Sequence, residues 1–238
     1  MKDIAIIIQG PLKTDSITGN HIDCVSKQLE TLYEFKENII FSTWEDQEVS
    51  SDIKNNYKFI FNTYPEEKGQ LNLWLQKKST MEGLLMAKNE GFKYALKLRS
   101  DMVLTNPKEF FINTDKNKLN FLCWNTFQSY PNSPGYFTDF LVFGEIDEMI
   151  TLWDIQEDFA NGPEIMLTDR YVKHCKLDVN YLLSTLSDNN DINWLKYEFN
   201  FSIFPMDKPK PQVCNQPWYV FSETKEFLKE DYIKYLNR

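Results

Sequence analysis

Three charged residues stand at alternate positions in residues 94–104, YALKLRSDMVL: Lys97, Arg99 and Asp101. A β-strand sends every second side chain to the same face. These three therefore share one face, while Leu96, Leu98, Ser100 and Met102 take the other. Charge beside a hydrophobic core is costly unless it is paired or used. A guanidinium can take phosphate oxygens through parallel N–H bonds. A carboxylate at a strand end is a hard oxygen ligand of the kind that suits magnesium or manganese. Together they suit the departure of a diphosphate, as in glycosyl transfer from a nucleotide-activated sugar. The plainer alternative is an ion pair that only closes the strand.

Other chemistries find no support. The chain has no GxxxxGK[ST] phosphate loop, no GxGxxG opening a helix after a strand and no GxSxG elbow. With only His21 and His174, a hydrolase triad has few bases to draw on. The four cysteines (Cys24, Cys123, Cys175 and Cys214) are scattered, with no CxxC pair or zinc spacing, and are read as reduced thiols. A net charge of −9 argues against a nucleic-acid partner, which needs a positive surface. It allows a small anionic ligand held by a local basic cluster.

The elements that must position these residues alternate through the first half. DIAIIIQG, ENIIFSTWE, YKFIFNTYP and YALKLRSDMVL read as strands. CVSKQLETLYEF and residues 72–90 read as helices, with Gly91 capping the second. Apolar strands separated by helices imply a mainly parallel α/β sheet of Rossmann type, covered on both faces. The second half is less regular: NFLCWNTF as a strand, TDFLVFGEIDEMITLWD as a strand, Gly144 and a helix, a helix opening at Pro163, and an amphipathic final helix over residues 222–238. One domain spans 1–238, with a donor half in 1–105 and an acceptor half in 106–238. Ligands of such sheets bind beyond the carboxyl ends of the strands. The ends at Gln9-Gly10-Pro11, Ser42-Thr43-Trp44 and Arg99-Ser100-Asp101 therefore converge on one crevice, with Thr43 on its wall.

In the acceptor half, Asp139 and Glu164 are the candidate general bases. Glu164 falls in a first helical turn, where the macrodipole lowers a carboxyl pKa and weakens it as a base, so Asp139 ranks above it. Trp44 and Trp124 are either stacking platforms for base or sugar, or core.

IAIIIQGPL, IIFSTWE, the helix bearing Asn72, Gln76, Ser79 and Gly83-Leu84, then YALKLRSDM, TDFLVFG and GPEIML, taken in order, resemble the WavE lipopolysaccharide synthesis family over about residues 4–175. That family is similar to GT-A glycosyltransferases. The resemblance implies a GT-A-like domain and a glycosyltransferase with a nucleotide-sugar donor and a saccharide or lipid-linked saccharide acceptor. It also implies a role in lipopolysaccharide or surface polysaccharide synthesis. Gln9, Gly10 and Pro11 would line the nucleotide pocket, and Arg99 and Asp101 would stand where that fold carries Asp-x-Asp. Arg99 replaces the first Asp, which leaves two options open: Mn2+ or Mg2+ at Asp101, or Arg99 with Lys97 offsetting the diphosphate charge unaided. Two other readings keep the fold: a non-catalytic carbohydrate-binding or assembly protein, and a sugar nucleotidyltransferase. The turn after the first strand lacks the Gly-rich loop expected of the latter.

The apolar run at residues 4–8 is too short for a signal peptide or a membrane span. The expected location is the cytoplasm, with at most peripheral contact at the inner face of the cytoplasmic membrane.

Overall fold

The computed structural model describes residues 2–12, 24–104, 107–114, 116–117, 119–123, 137–156, 163, 166–167, 170, 201–205 and 220–221. The alternation read from the sequence holds through the first half. It runs β1 (Ile4–Gln9), α1 (Cys24–Thr31), β2 (Ile39–Trp44), α2 (Ser51–Asn56), β3 (Lys58–Asn62), α3 (Leu73–Asn89) and β4 (Tyr94–Arg99). After a short β5 (Val103–Leu104) and α4 (Pro107–Asn113) come β6 (Leu119–Cys123), β7 (Phe137–Glu145), α5 (Ile146–Trp153), β8 (Phe201–Pro205) and β9 (Val220–Phe221).

Seven of these strands form one sheet in the order β3-β2-β1-β4-β7-β6-β8. Pairing is parallel except at β7, which runs antiparallel to both β4 and β6. The fold is thus a Rossmann-like, mainly parallel sheet flanked by helices. From β1 the chain steps outward to β2 and β3, then crosses back to β4 on the other side of β1. Strand order reverses between β1 and β4, and a reversal of that kind opens a crevice at the carboxyl edge.

Both faces are covered, which is why the central strands are continuously apolar. On one face Ala5, Ile7, Ile40, Ala95 and Val142 pack against Leu84 and Ala87 of α3 and Met149, Leu152 and Trp153 of α5. On the other, Ile4, Ile6, Ile8, Phe41, Leu96, Leu98 and Phe143 meet Val25 of α1 and Phe110 and Phe111 of α4. Helix α3 lies so close to β1 that a Cβ on Gly83 would come within 2.5 Å of Ile7 Cγ2. Its C-terminus is closed by Gly91 at φ +84, with Phe92 N–H returning to the Ala87 carbonyl at 3.1 Å.

Three expectations change. Strand β4 stops at Arg99, so Asp101 sits on a turn and not on the strand face. Strand β7 runs through Gly144 to Glu145, because Gly144 pairs with Ala95 and continues the ladder. Helix α2 is an addition that apolar periodicity does not announce, since it buries none of its residues. Of the helix opening at Pro163, the described residues 163, 166, 167 and 170 are helical. The final helix, His21, His174, Cys175, Cys214 and Trp124 lie outside the described residues.

Candidate functional site

Gln9 and Arg99, the last residues of β1 and β4, are register partners at the point where strand order reverses. Beyond Arg99 the chain makes a tight turn closed by Met102 N–H to the Arg99 carbonyl at 3.1 Å. This turn is fastened to the Gln9-Gly10-Pro11 turn by two bonds through one residue. Ser100 N–H donates to the Gln9 carbonyl at 2.8 Å, and the Ser100 hydroxyl donates to the Pro11 carbonyl at 2.6 Å. Gly10 lets the turns touch: its φ is +119, and a Cβ there would stand 2.9 Å from Ser100 Oγ. From below, the fully buried Gln28 of α1 donates its carboxamide N–H groups to the carbonyls of Arg99, at 2.7 Å, and Met102.

On this scaffold Arg99 and Asp101 form a two-bond pair. Arg99 Nε donates to Asp101 Oδ1 at 2.9 Å and Nη2 to Oδ2 at 2.5 Å. The guanidinium carbon lies 4.6 Å from the centre of the Phe140 ring, which gives it a flat support. Arg99 Nη1 also faces Asp139 Oδ2 at 3.6 Å. Asp139 is the third residue of antiparallel β7, so it reaches the same sheet edge from the opposite direction. Its carboxylate is buried, and neither oxygen accepts a hydrogen bond.

A second network runs along the strand ends on the α3 side. Its direction can be deduced bond by bond. The Ser79 hydroxyl donates to the Leu75 carbonyl at 2.8 Å, so it accepts from Gln9 Nε2 at 2.7 Å. The Ser42 hydroxyl donates to the Ser79 carbonyl at 2.5 Å, so it accepts from Asn62 Nδ2 at 3.0 Å. Asn62 Nδ2 also serves the Thr43 carbonyl, at 2.8 Å. Both carboxamides are thereby oriented, which leaves Gln9 Oε1 and Asn62 Oδ1 as buried acceptors with no donor. Thr43 is buried with its hydroxyl likewise unpaired, and by strand alternation it faces away from Ser42. Buried polar atoms of this kind call for a ligand or an ordered water to complete the set.

The structure therefore brings Gln9, Gly10, Pro11, Thr43, Arg99, Asp101 and Asp139 to one edge of the sheet. Lys97 is different. Its ammonium is fully buried, donates to the backbone carbonyl of Asp139 and lies 5.0 Å from the centre of the Trp153 ring. As placed it supports β7 from inside the fold. Glu164 lies outside the described residues. Sequence reasoning passed over Gln28 and Asn62, single polar residues in α1 and at the end of β3 whose partners are all distant in the chain.

Trp44 is buried beneath Tyr64, stacked at 4.6 Å with the planes 14° apart. Tyr64 is 43% exposed and is the ring that meets solvent. Burial, then the hydrogen bond to Asp46 at 2.9 Å, push its hydroxyl up to about 12, so it remains a neutral donor.

Both oxygens of Asp101 are taken by Arg99. Among the described residues, no group of three His, Cys, Asp or Glu lies close enough together to hold a metal ion. Among the described residues, no helix is long and apolar enough to cross a membrane.

No curated protein matches the chain in sequence. Solved structures align with the chain at low identity and with TM-scores under 0.5. The 4-diphosphocytidyl-2C-methyl-D-erythritol synthase of Anaerococcus prevotii aligns over 98% of this chain and 94% of its own, at 14% identity and a TM-score of 0.49. A cytidylyltransferase of Leptospira borgpetersenii aligns over 99% and 94%, at 16% identity and a TM-score of 0.44. A glycosyltransferase involved in glycosylation of the major capsid of PBCV-1 aligns over 99% of each chain, at 10% identity and a TM-score of 0.44. Alignments at this distance assign no activity. The sequence is more specific: residues 4–174 match one family throughout, and the chain belongs to the WavE lipopolysaccharide synthesis family.

Proposed function

We propose that the protein is a glycosyltransferase that takes a nucleotide-sugar donor at the carboxyl edge of its sheet, in the synthesis of lipopolysaccharide or another bacterial surface polysaccharide. The observation that carries this reading is the Arg99–Asp101 pair on a turn locked to the Gln9-Gly10-Pro11 turn, where strand order reverses. A guanidinium has five N–H donors and can serve a carboxylate and phosphate oxygens at once. Asp101 would accept from donor hydroxyls. The unfilled acceptors Gln9 Oε1 and Asn62 Oδ1 would take N–H or O–H groups, directly or through water. Preorganised charge where a leaving group develops negative charge lowers the barrier to its departure.

On this reading the leaving group is stabilised by Arg99 and no divalent cation is required. Asp139 is buried beside Arg99 and serves it, so the acceptor's base falls to Glu164 or another carboxylate of the acceptor half. The acceptor is a saccharide or lipid-linked saccharide, met at the cytoplasmic face of the membrane where nucleotide sugars are found.

The test is product analysis with a panel of nucleotide sugars and a polysaccharide or lipopolysaccharide acceptor extract. Glycosyl transfer releases the nucleoside diphosphate and lengthens the acceptor. Pyrophosphate exchange with a sugar phosphate would instead mark a nucleotidyltransferase, and binding without any product would mark a carbohydrate-binding protein.

A further inference from the structure

Asp139 is the unexplained group at this edge. Its carboxylate is 1% exposed and accepts no hydrogen bond at either oxygen. A buried carboxylate in that condition is unfavourable by several kcal/mol unless a countercharge is near. One countercharge is Arg99, with Nη1 at 3.6 Å from Oδ2, close enough for attraction and too far for a hydrogen bond. The Lys97 ammonium approaches Asp139 too, but at the backbone carbonyl. Arg99 meanwhile spends its two-bond geometry on Asp101, whose side chain is more exposed than that of Asp139.

Resting on the donor reading above, we propose that Asp139 is a second seat for the Arg99 guanidinium, which leaves Asp101 for Asp139 when a donor engages Asp101. The movement that closes the bond to Asp139 is small. Charge-assisted N–H···O bonds form at about 2.7–2.9 Å, so a shift of under about 1 Å turns the 3.6 Å contact into a bond. Phe140 accompanies the path: the guanidinium carbon lies 4.6 Å from the centre of its ring, close enough to keep a cation–π contact through a small shift. The exchange hands both Asp101 oxygens to the donor's hydroxyls. It satisfies the buried carboxylate and keeps the positive charge at the strand end. Asp139 is then a positioning residue, acting through Arg99 and not on substrate.

Two measurements test it. The first needs no ligand: thermal unfolding of the wild type, Asp101→Asn, Asp139→Asn and the double variant. With Asp139 present, the guanidinium released by Asp101→Asn closes onto the second seat. Asp101→Asn should therefore lower Tm by about 2 °C or more beyond its own effect when Asp139→Asn is also present. Additive shifts would overturn the proposal. If Asp139→Asn does not fold, Asp101→Asn alone decides, through solvent exchange of the Arg99 side-chain N–H signals by NMR. Protected signals support the second seat, and fast exchange contradicts it.

The second measurement is calorimetric titration with UDP-, GDP- and dTDP-sugars. A donor that binds the wild type should bind Asp139→Asn roughly 10-fold more weakly, about one power of ten in Kd. Equal affinity would overturn the proposal. If no nucleotide sugar binds the wild type, the donor reading fails by itself, while the unfolding cycle still decides whether Asp139 receives Arg99.

Discussion

Ser100 donates its hydroxyl to the carbonyl of Pro11 at 2.6 Å, and so ties the turn after β4 to the turn after β1. The two turns lie side by side where strand order reverses, and Arg99 and Asp101 take their positions from this joint.

Ser100→Ala removes that bond and leaves the Pro11 carbonyl without its partner. A cost of about 1–2 kcal/mol is expected. In a domain of this size it should appear as a fall in Tm of roughly 2–8 °C. An unchanged Tm would show that the joint is held by other contacts.

Gly10→Ala meets two obstacles that can be separated. The backbone sits at φ +119, and the new Cβ would come 2.9 Å from Ser100 Oγ. The backbone cost is about 1–3 kcal/mol. In a Ser100→Gly background the steric part disappears and the backbone part remains. Gly10→Ala should therefore cost less there than in the wild type, yet still destabilise. Equal costs in the two backgrounds would mean that the contact with Ser100 contributes nothing.

Gln28→Leu is of similar volume but donates nothing, leaving the carbonyls of Arg99 and Met102 without the carboxamide beneath the turn. Each buried group deprived of its partner costs about 1–3 kcal/mol. Gln28 is fully buried behind that turn, so a loss of nucleotide-sugar affinity in this variant would come through loosening of the turn. Calorimetry alongside thermal unfolding checks both effects. Wild-type affinity with a normal Tm would remove Gln28 from the site.

Tyr64 gives a pH signature. Its hydroxyl is pushed up to about 12, above the ordinary value of 10 that it regains on unfolding. The folded state therefore favours the protonated phenol. This contribution to stability is fully present below pH 10 and is lost as pH rises from 10 towards 12. Absorbance titration of the wild type against Tyr64→Phe should show a late-ionising tyrosine missing from the variant. An ordinary midpoint near 10 would show that the bond to Asp46 does not hold in solution.

The strands of the first half were legible because each is an apolar run bounded by polar turns, and Gly91 marked the end of α3. Helix α2 was not, because it sets only a partly buried Ile53 against the core and so leaves no apolar period to read. Alternation put Lys97, Arg99 and Asp101 on one face, and only tertiary structure separates their fates. Trp153 of α5 covers Lys97, the strand ends at Arg99, and the turn carries Asp101 away. Ser100-Asp101 suits a turn, but what holds it, Gln28 and the carbonyls of Gln9 and Pro11, comes from elsewhere in the chain. Gln9-Gly10-Pro11 was legible as a strand end, but Gln9 pointing to Ser79 and Gly10 pressed on Ser100 are contacts between residues at least 70 positions apart. Such contacts leave no local pattern.

The most direct measurement is calorimetric titration of a panel of nucleotide sugars into the wild type and Asp101→Ala, each with EDTA and with manganese. At least one nucleotide sugar is expected to bind the wild type with similar affinity in both conditions, and Asp101→Ala is expected to bind it at least 10-fold more weakly. A wild type that binds none of them, or an Asp101→Ala variant that binds as tightly as the wild type, would contradict a donor site built on the Arg99–Asp101 turn.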